Sequence, residues 1–271
     1  MRTQAPTHVP TTNGSSGGSS ERRVGPDINA IVRACREEGR VRTVFQPIVD
    51  MRTGAMCGFE ALARFPMYRP DEWFQAAADS GMAGWFETTI LRAALASLPD
   101  LPAGCFMSVN LSPDAIQAPE ARSAFGEYES LDQVVIEITG QVDSAEAAAI
   151  ADALEPARSR GARVSVDESG RGGTCLISLT TLHPDFLKLE RSLVAGIDEL
   201  PALQKAVGAA LALAGHLGAG VVAQGIETEG EIETVVGLGV PYGQGFAFGH
   251  ALPQLMAHAH RHEQTIKRLS A

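Results

Sequence analysis

The sequence predicts an α/β protein, an irregular (β/α)8 barrel of the TIM type in which the first two strands pair antiparallel. From about residue 27, short apolar runs alternate with longer amphipathic stretches, which is the pattern of strands connected by helices. About eight such runs in roughly 245 residues favour a closed barrel over an open sheet. The Arg52-Thr53-Gly54 turn between the first two runs indicates a hairpin.

The predicted elements follow in order along the chain. Strands are predicted at 43–49, 55–62, 105–111, 133–139, 162–168, 185–189, 220–224 and 241–244. Helices are predicted at 71–80, 83–98, 144–160, 200–216 and 229–238. Because helices separate most of the strands, we expect those strands to pair in parallel.

The chain divides into a tail and one domain. Residues 1–26 contain the run SSGGSS and show no apolar periodicity, so we interpret them as a flexible Gly/Ser-rich tail. Residues 27–271 form the predicted barrel domain. The chain has 271 residues, of which 45% are hydrophobic, and it can therefore bury a large core.

Composition excludes several classes of protein. The formal net charge is −10 and no basic run occurs, which argues against binding to nucleic acid or to an acidic membrane surface. No stretch is typical of a signal peptide or a membrane span. The cysteines lack the CxxC spacing of a metal site and the density of a disulfide scaffold; they are Cys35, Cys57, Cys105 and Cys175. They indicate reduced thiols in a cytoplasmic protein.

Polar side chains lie within or at the end of six different predicted strands. They are Glu60, Asn110, Glu137, Asp167, Lys188 and Gln224. The C-terminal ends of the strands in a parallel barrel converge on one face, where such barrels carry their chemistry. Carboxylate and amide oxygens gathered there suit Mg²⁺, Mn²⁺ or Ca²⁺ and do not suit zinc. Two simpler roles stay open: the carboxylates as ion-paired strand ends, and Lys188 as the partner of a carboxylate across the mouth.

Eight short motifs follow one another from about Thr43 to Pro253. They are FQPIVD, GFEALAR, SVNLS, VIEIT, VDESG, FLKLERS, VVAQGIET and YGQGFAFG. Their order and spacing resemble those of the EAL family, the bacterial cyclic di-GMP phosphodiesterases. The resemblance implies an irregular (β/α) barrel with two catalytic cations, Mg²⁺ or Mn²⁺, and it covers nearly the whole predicted domain.

The resemblance also implies a role for each matching residue. The first metal would be held by Glu60, Asn110, Glu137 and Asp167. The second would share Asp167 and be completed at Glu168 and Gln224. Lys188 matches the lysine near the attacking water. The phosphates and guanines of the dinucleotide would be held at Gln46, Arg64 and Gln244.

The two positions that would bind only the second metal depart from the family pattern. Glu168 replaces an aspartate, and the added methylene moves the carboxylate by about 1 Å or more in a site where about 0.2 Å matters. Gln224 replaces a glutamate, which removes one negative charge and the ability to accept a proton. General base catalysis is typically worth about 10²–10⁴ in rate, so the hydrolytic half of the site is damaged.

Two further departures concern the loops. Gly140 lies where the family carries a second glutamate, and DESGRGGTCL at 167–176 replaces a DDFGTGYSSL loop that couples dimerisation to catalysis. These observations favour a cyclic di-GMP receptor that binds with one metal or none and hydrolyses weakly or not at all. An active Mg²⁺- or Mn²⁺-dependent phosphodiesterase giving the linear dinucleotide is the first alternative. A protein-interaction module without nucleotide is the second. A protein partner or a homodimer is left open.

Overall fold

Within residues 25–37, 41–168 and 176–255, which the computed structural model describes, eight strands close into one barrel in chain order. The strands are β1 (Arg42–Asp50), β2 (Met56–Arg64), β3 (Phe106–Leu111), β4 (Val134–Ile138), β5 (Arg163–Glu168), β6 (Phe186–Leu189), β7 (Gly220–Ala223) and β8 (Tyr242–Gln244). The predicted barrel is confirmed, and each predicted strand is found within a few residues of its expected bounds.

Helices cover the outside of the barrel. They are α1 (Ile28–Arg36), α2 (Pro70–Asp79), α3 (Ala83–Leu95), α4 (Pro113–Gln117), α5 (Pro119–Gly126), α6 (Ala147–Arg158), α7 (Leu176–Leu182), α8 (Arg191–Val194), α9 (Pro201–Leu217) and α10 (Glu229–Gly237). The five predicted helices correspond to α2, α3, α6, α9 and α10. The other five were not predicted from the sequence. All five have nine residues or fewer, a length over which periodicity is weak.

The first strand is antiparallel to both of its neighbours. It pairs with β2 through partners such as Gln46 and Glu60, and with β8 through Ile48 and Gln244. The carboxylate of Asp50 accepts hydrogen bonds from the backbone N–H groups of Arg52 and Thr53, both at 2.9 Å, and so closes the hairpin turn. The predicted antiparallel first pair is therefore confirmed.

Aromatic side chains fill the N-terminal end of the barrel. The rings of Phe106 and Phe186 stack at 5.4 Å, and Tyr242 packs edge-on against Phe186 at 5.7 Å. The guanidinium of Arg163 lies 5.0 Å from the centre of the Phe106 ring. These rings fill the N-terminal end, and barrels of this type carry their sites at the opposite, C-terminal end.

Two predictions concern the N-terminal tail and the absence of a membrane span. Residues 1–24 of the predicted tail lie outside the described residues. In the part that is described, no helix is long and apolar enough to cross a membrane.

We expect the Gly245→Ala substitution to destabilise the protein, because Gly245 packs against the loop that follows β7. A Cβ atom at Gly245 would lie 2.1 Å from the carbonyl oxygen of Ile226, and that loop is tied to β8 by the bond from Ile226 N to Gln244 O at 3.0 Å. Overpacking of this kind typically costs about 1–3 kcal/mol in the free energy of unfolding.

The matched control is Gly208→Ala in the middle of α9, where an added Cβ would meet nothing within 4 Å. There the change should stabilise the protein by up to about 1 kcal/mol, because alanine is the better helix former. Urea unfolding of both variants measures the two effects. Equal effects at both positions would contradict the packing argument.

Candidate active site

A polar layer crosses the inside of the barrel. It consists of one side chain from each of the alternate strands β2, β4, β6 and β8: Glu60, Glu137, Lys188 and Gln244. All four residues are buried, with exposed fractions of 7%, 3%, 2% and 3%. Layers of four side chains from alternate strands are the usual filling of such barrels, but bulky apolar residues normally provide them. A polar layer in this place indicates a functional interior.

Lys188 forms ion pairs with both glutamates of this layer. Its ammonium lies 3.3 Å from Oε2 of Glu60 and contacts Oε2 of Glu137 directly. The sequence left open that Lys188 pairs with a carboxylate across the mouth. The structure shows this pairing, with two carboxylates. Buried charges are tolerated only when paired in this way.

Neighbouring groups complete the hydrogen bonding of the glutamates. Nδ2 of Asn110 donates to Oε1 of Glu60 at 2.8 Å, and Nε2 of Gln244 donates to its Oε2 at 2.6 Å. The hydroxyl of Ser108 donates to Oε2 of Glu137 at 3.0 Å. Ser108 was not predicted from the sequence; its position, two residues before Asn110 on the same strand, places it on the same face.

Gln46 joins the layer from the first strand. Nε2 of Gln244 also lies 3.3 Å from Oε1 of Gln46, so the two glutamines predicted to hold the ligand are in contact. The buried Oε1 of Gln244 has no hydrogen-bond partner among the described residues. Buried polar atoms normally have a partner, so this oxygen is an unused acceptor within the described part of the site.

The two glutamates differ in their affinity for a proton. Burial alone would raise the pKa of Glu60, but the charge of Lys188 and the donors Asn110 and Gln244 bring it below its usual value. Burial raises the pKa of Glu137 to about 7, and the attraction of Lys188 only partly offsets this. Burial would lower the pKa of Lys188, yet the two carboxylates raise it, so the lysine is charged at neutral pH.

The other predicted metal ligands lie at the C-terminal ends of β5 and β7. Asp167 is the register partner of Lys188, and its buried Oδ1 atom has no hydrogen-bond partner in the described part of the chain. Burial raises the pKa of Asp167, and Lys188 partly opposes this rise. The backbone of Glu168 ends β5, and its side chain lies outside the described set. Gln224 is half-buried directly after β7, with its N–H bonded to Leu189 O at 3.0 Å.

The donor set fits a hard divalent cation by its chemistry. Carboxylate and amide oxygens are the ligands that Mg²⁺ and Mn²⁺ prefer, and Asp167 Oδ1 is a buried acceptor without a donor. Lys188, however, already engages both Glu60 and Glu137. Among the described side chains, no three His, Cys, Asp or Glu residues are gathered as a ready metal site. A cation would therefore have to compete with the Lys188 ammonium for these carboxylates.

Arg64 lies apart from the polar layer. It is the exposed last residue of β2, and its Nη1 donates to the carbonyl of Ala63 at 3.0 Å. Arg64 and Asn110 both line a largely apolar cavity of about 580 Å³ between β2, β3, α2 and α3. The structure therefore groups Gln46 and Gln244 with the carboxylates but leaves Arg64 at the rim.

Glu87 on α3 supports the loop that follows Asn110. This residue is 7% exposed, and its two oxygens accept hydrogen bonds from Ser112 N at 2.7 Å and Ser112 Oγ at 2.8 Å. Ser112 in turn caps the N-terminus of α4, where its Oγ accepts the N–H of Ala115. Glu87 was not identified from the sequence. An acidic residue on the apolar face of a helix was the available signal.

The stability contribution of Glu87 should depend on pH. Burial raises the pKa of Glu87, and the hydrogen bonds from Ser112 only partly oppose this. Because the folded state then holds the proton more tightly than the unfolded chain, this contribution is present at acidic pH and is lost as the pH rises through the raised pKa. The parent should therefore gain stability relative to Glu87→Gln as the pH is lowered.

Urea unfolding of the parent and the Glu87→Gln variant between neutral and mildly acidic pH measures this difference. The control is Glu129→Gln at an exposed position. The difference between the parent and the control variant should stay nearly constant over the same range. A constant difference for Glu87→Gln as well would contradict the prediction.

Comparison with known proteins identifies the family. The EAL domain family matches residues 28–251. The chain is 28% identical over 232 residues to the cyclic di-GMP phosphodiesterase PA2567 of Pseudomonas aeruginosa and 27% identical over 223 residues to the probable cyclic di-GMP phosphodiesterase PdeB of Escherichia coli. The matches cover 81% and 78% of this chain but only 40% and 42% of those relatives.

Two solved structures share the fold. Klebsiella pneumoniae BlrP1 in its calcium and cyclic di-GMP complex gives a TM-score of 0.68 at 28% identity, over 79% of this chain and 56% of that one. The PaMucR phosphodiesterase in complex with cyclic di-GMP gives 0.71 at 26% identity, over 80% of this chain and 99% of that one. The chain described here belongs to the EAL domain family.

Proposed function

We propose that this protein is a cyclic di-GMP receptor whose hydrolytic activity is weak or lost. The observation that carries the proposal is the contrast between two parts of one site. The polar layer of Glu60, Glu137, Lys188 and Gln244 is assembled and hydrogen-bonded, whereas Gln224 supplies a neutral amide at the end of β7. A neutral amide cannot accept a proton, and it binds a cation more weakly than a carboxylate does.

Similarity to proteins that bind cyclic di-GMP supports this choice of ligand. The nucleotide would enter from the C-terminal end, since aromatic rings fill the other end of the barrel. Gln46 and Gln244 would hydrogen-bond the ligand from the barrel interior. The guanidinium of Arg64, exposed at the rim, would hold a phosphate through two parallel hydrogen bonds.

One divalent cation, Mg²⁺ or Mn²⁺, would be held by four side chains. These are Glu60, Asn110, Glu137 and Asp167. A cation bound there would neutralise a phosphate of the ligand and polarise its ester bond. Oδ1 of Asp167, which has no hydrogen-bond partner within the described ranges, supports this assignment. The chain's own contribution is to orient the carboxylates through Asn110, Ser108 and Gln244 and to offset part of their negative charge through Lys188.

A slow phosphodiesterase is the second candidate function. Lys188 is present, and Glu168 retains a negative charge at the altered position. A second cation shared by Asp167 and Glu168 would then be weakly bound, and hydrolysis would be slow. The two candidate functions differ only in whether the bound nucleotide is hydrolysed.

Calorimetric titration with cyclic di-GMP in Mg²⁺ buffer, followed by chromatography of the same sample, separates these functions. Heat of binding without the linear dinucleotide is the result expected of the receptor. Appearance of the linear dinucleotide would support the phosphodiesterase instead. Absence of binding heat at several temperatures would reject both functions and leave the protein-interaction module.

Asp167→Asn should abolish stabilisation by the metal. In the parent, Mg²⁺ or Mn²⁺ at millimolar concentration is expected to raise the melting temperature, because a ligand that binds only the folded state stabilises it. The amide of asparagine removes the negative charge that favours the cation. Asp152→Asn on the exposed face of α6 is the control and should retain the full metal response. An unresponsive parent would reject the metal site.

A further inference from the structure

The outer side of β2 borders a cavity that the candidate site does not use. Side chains alternate along a strand, so Ala61 and Ala63 point away from the barrel interior that Glu60 faces. These two alanines line the cavity of about 580 Å³ between β2, β3, α2 and α3. Its volume lies within the range of about 300–1,000 Å³ that is usual for ligand pockets.

Small apolar side chains leave this space open. Alanines line it from one strand and two helices: Ala61 and Ala63 of β2, Ala78 of α2, and Ala83 and Ala94 of α3. Larger apolar side chains complete the lining, among them Phe74, Ile90 and Leu91. Protein interiors are normally close-packed and contain few voids larger than a water molecule. A space of this size with apolar walls suits the apolar part of a small ligand.

Acidic side chains dominate the charged part of the lining. In the described part of the chain, four charged residues line the cavity: Asp71, Glu87 and Asp114 are acidic, and Arg64 is basic. Asp71 is ion-paired with Arg69. Within the described ranges, neither Glu87 nor Asp114 forms an ion pair with Arg64 or with another basic side chain. A cationic ligand would balance their charge.

Glu87 and Asp114 lie close enough to influence each other. Burial raises the pKa of Glu87, the hydrogen bonds from Ser112 only partly oppose this, and the charge of Asp114 adds to the rise. Ser112 explains the proximity, because it bonds both oxygens of Glu87 and Asp114 follows two residues later in the first turn of α4. Glu87 is buried and Asp114 is exposed, so the two carboxyl groups extend from the inside of the cavity to the surface.

We propose that this cavity binds a small organic ammonium ion, such as an arylalkylamine. Its apolar part would lie between α2 and α3, and its ammonium group beside Glu87 and Asp114. An ammonium group has three donors, and each oxygen of Glu87 can accept one bond besides the one from Ser112. The ring of Phe74 offers an aromatic contact. The site lies on the outer side of β2, and its occupation does not require cyclic di-GMP.

Calorimetric titration of the full chain at neutral pH compares three probes that share one ring. 2-Phenylethylamine is a cation, 2-phenylethanol is neutral and phenylacetate is an anion. We expect the amine to bind at least about tenfold more tightly than the alcohol, because hydrogen bonds to charged groups are the stronger ones. Phenylacetate should bind most weakly, since it adds a negative charge beside two carboxyl groups.

Variants of the lining locate the binding site. Ala63→Leu fills the cavity from β2, and Ala78→Leu narrows it from the exposed side of α2, where the larger side chain is tolerated. Both should abolish binding of the amine. Asp114→Asn should weaken binding of the amine but not of the alcohol. The controls are Ala209→Leu on the exposed face of α9 and Asp152→Asn on α6, and both should keep the affinity of the parent.

Three results would overturn the proposal. They are equal affinity for all three probes, tightest binding of phenylacetate, and the parent's affinity for the amine in both leucine variants. A parent that does not bind the amine at millimolar concentration would overturn it as well. None of these results bears on cyclic di-GMP binding inside the barrel, which is titrated separately.

Discussion

Together, the substitutions Glu168→Asp and Gln224→Glu should convert this protein into a cyclic di-GMP phosphodiesterase, whereas neither should do so alone. A cation shared by Asp167 and one additional carboxylate is weakly held. Because the reaction needs two cations, its rate should rise only when both ligands that bind the second cation alone are restored together. The gain should be at least about 10²-fold in turnover, the lower end of what a proton acceptor and an oriented water contribute.

The scaffold for this gain is already present. Gln224 is half-buried, and its backbone is fixed by the bond to Leu189, so a glutamate there would take over a defined position. Oδ1 of Asp167 has no hydrogen-bond partner among the residues that the structure describes. Gln224→Glu adds a negative charge that repels the other carboxylates when no cation is bound. A cation should therefore bind more tightly to the double variant.

Turnover of cyclic di-GMP in Mn²⁺ would be measured for the parent, both single variants and the double variant. Gln117→Glu on α4 serves as the control for the added negative charge. Strong hydrolysis by the parent would defeat the receptor assignment. A double variant as inert as the parent would show that the loop at 168–174 or the absent glutamate at Gly140 is the real defect.

Lys188→Met should cause the largest loss of stability among the substitutions considered. The lysine side chain is 2% exposed and lies between the carboxylates of Glu60 and Glu137, whose side chains are 9% and 4% exposed. Methionine fills a similar volume but leaves the two buried carboxyl groups without a cation. Removing one partner of a buried ion pair typically costs about 3–5 kcal/mol.

The loss from Lys188→Met should shrink at acidic pH. Without the ammonium, burial and mutual repulsion raise the pKa of both glutamates above their values in the unfolded chain. Such groups bind more protons in the folded state, so their contribution to stability is present at low pH and lost as the pH rises. Guanidinium unfolding of the parent and the variant at several pH values measures the effect.

Two further variants sharpen this test. Lys205→Met, at an exposed position of α9, should change stability little at any pH. Glu137→Gln combined with Lys188→Met should recover part of the loss, because it removes one of the unpaired charges. An equal loss in the combined variant would show that Lys188 contributes through packing and not through charge.

Much of the architecture was predictable from the chain because it depends on local pattern. Apolar runs with helical stretches between them predicted the eight strands and five of the helices, and the Arg52-Thr53-Gly54 turn predicted the hairpin. The eight motifs indicated the family, which the match over residues 28–251 confirms. Short helices such as α4 and α8 were missed because four or five residues carry too little periodicity.

Side-chain partners were decided only by the tertiary structure. The sequence placed Glu60, Glu137 and Lys188 on different strands, but which of them meet depends on strand register and barrel closure, which are set by contacts distant in sequence. The same reason explains why Ser108 and Glu87 were missed: neither residue signals a function by itself. Each acquires its role from a partner that the fold brings close, Glu137 for Ser108 and Ser112 for Glu87.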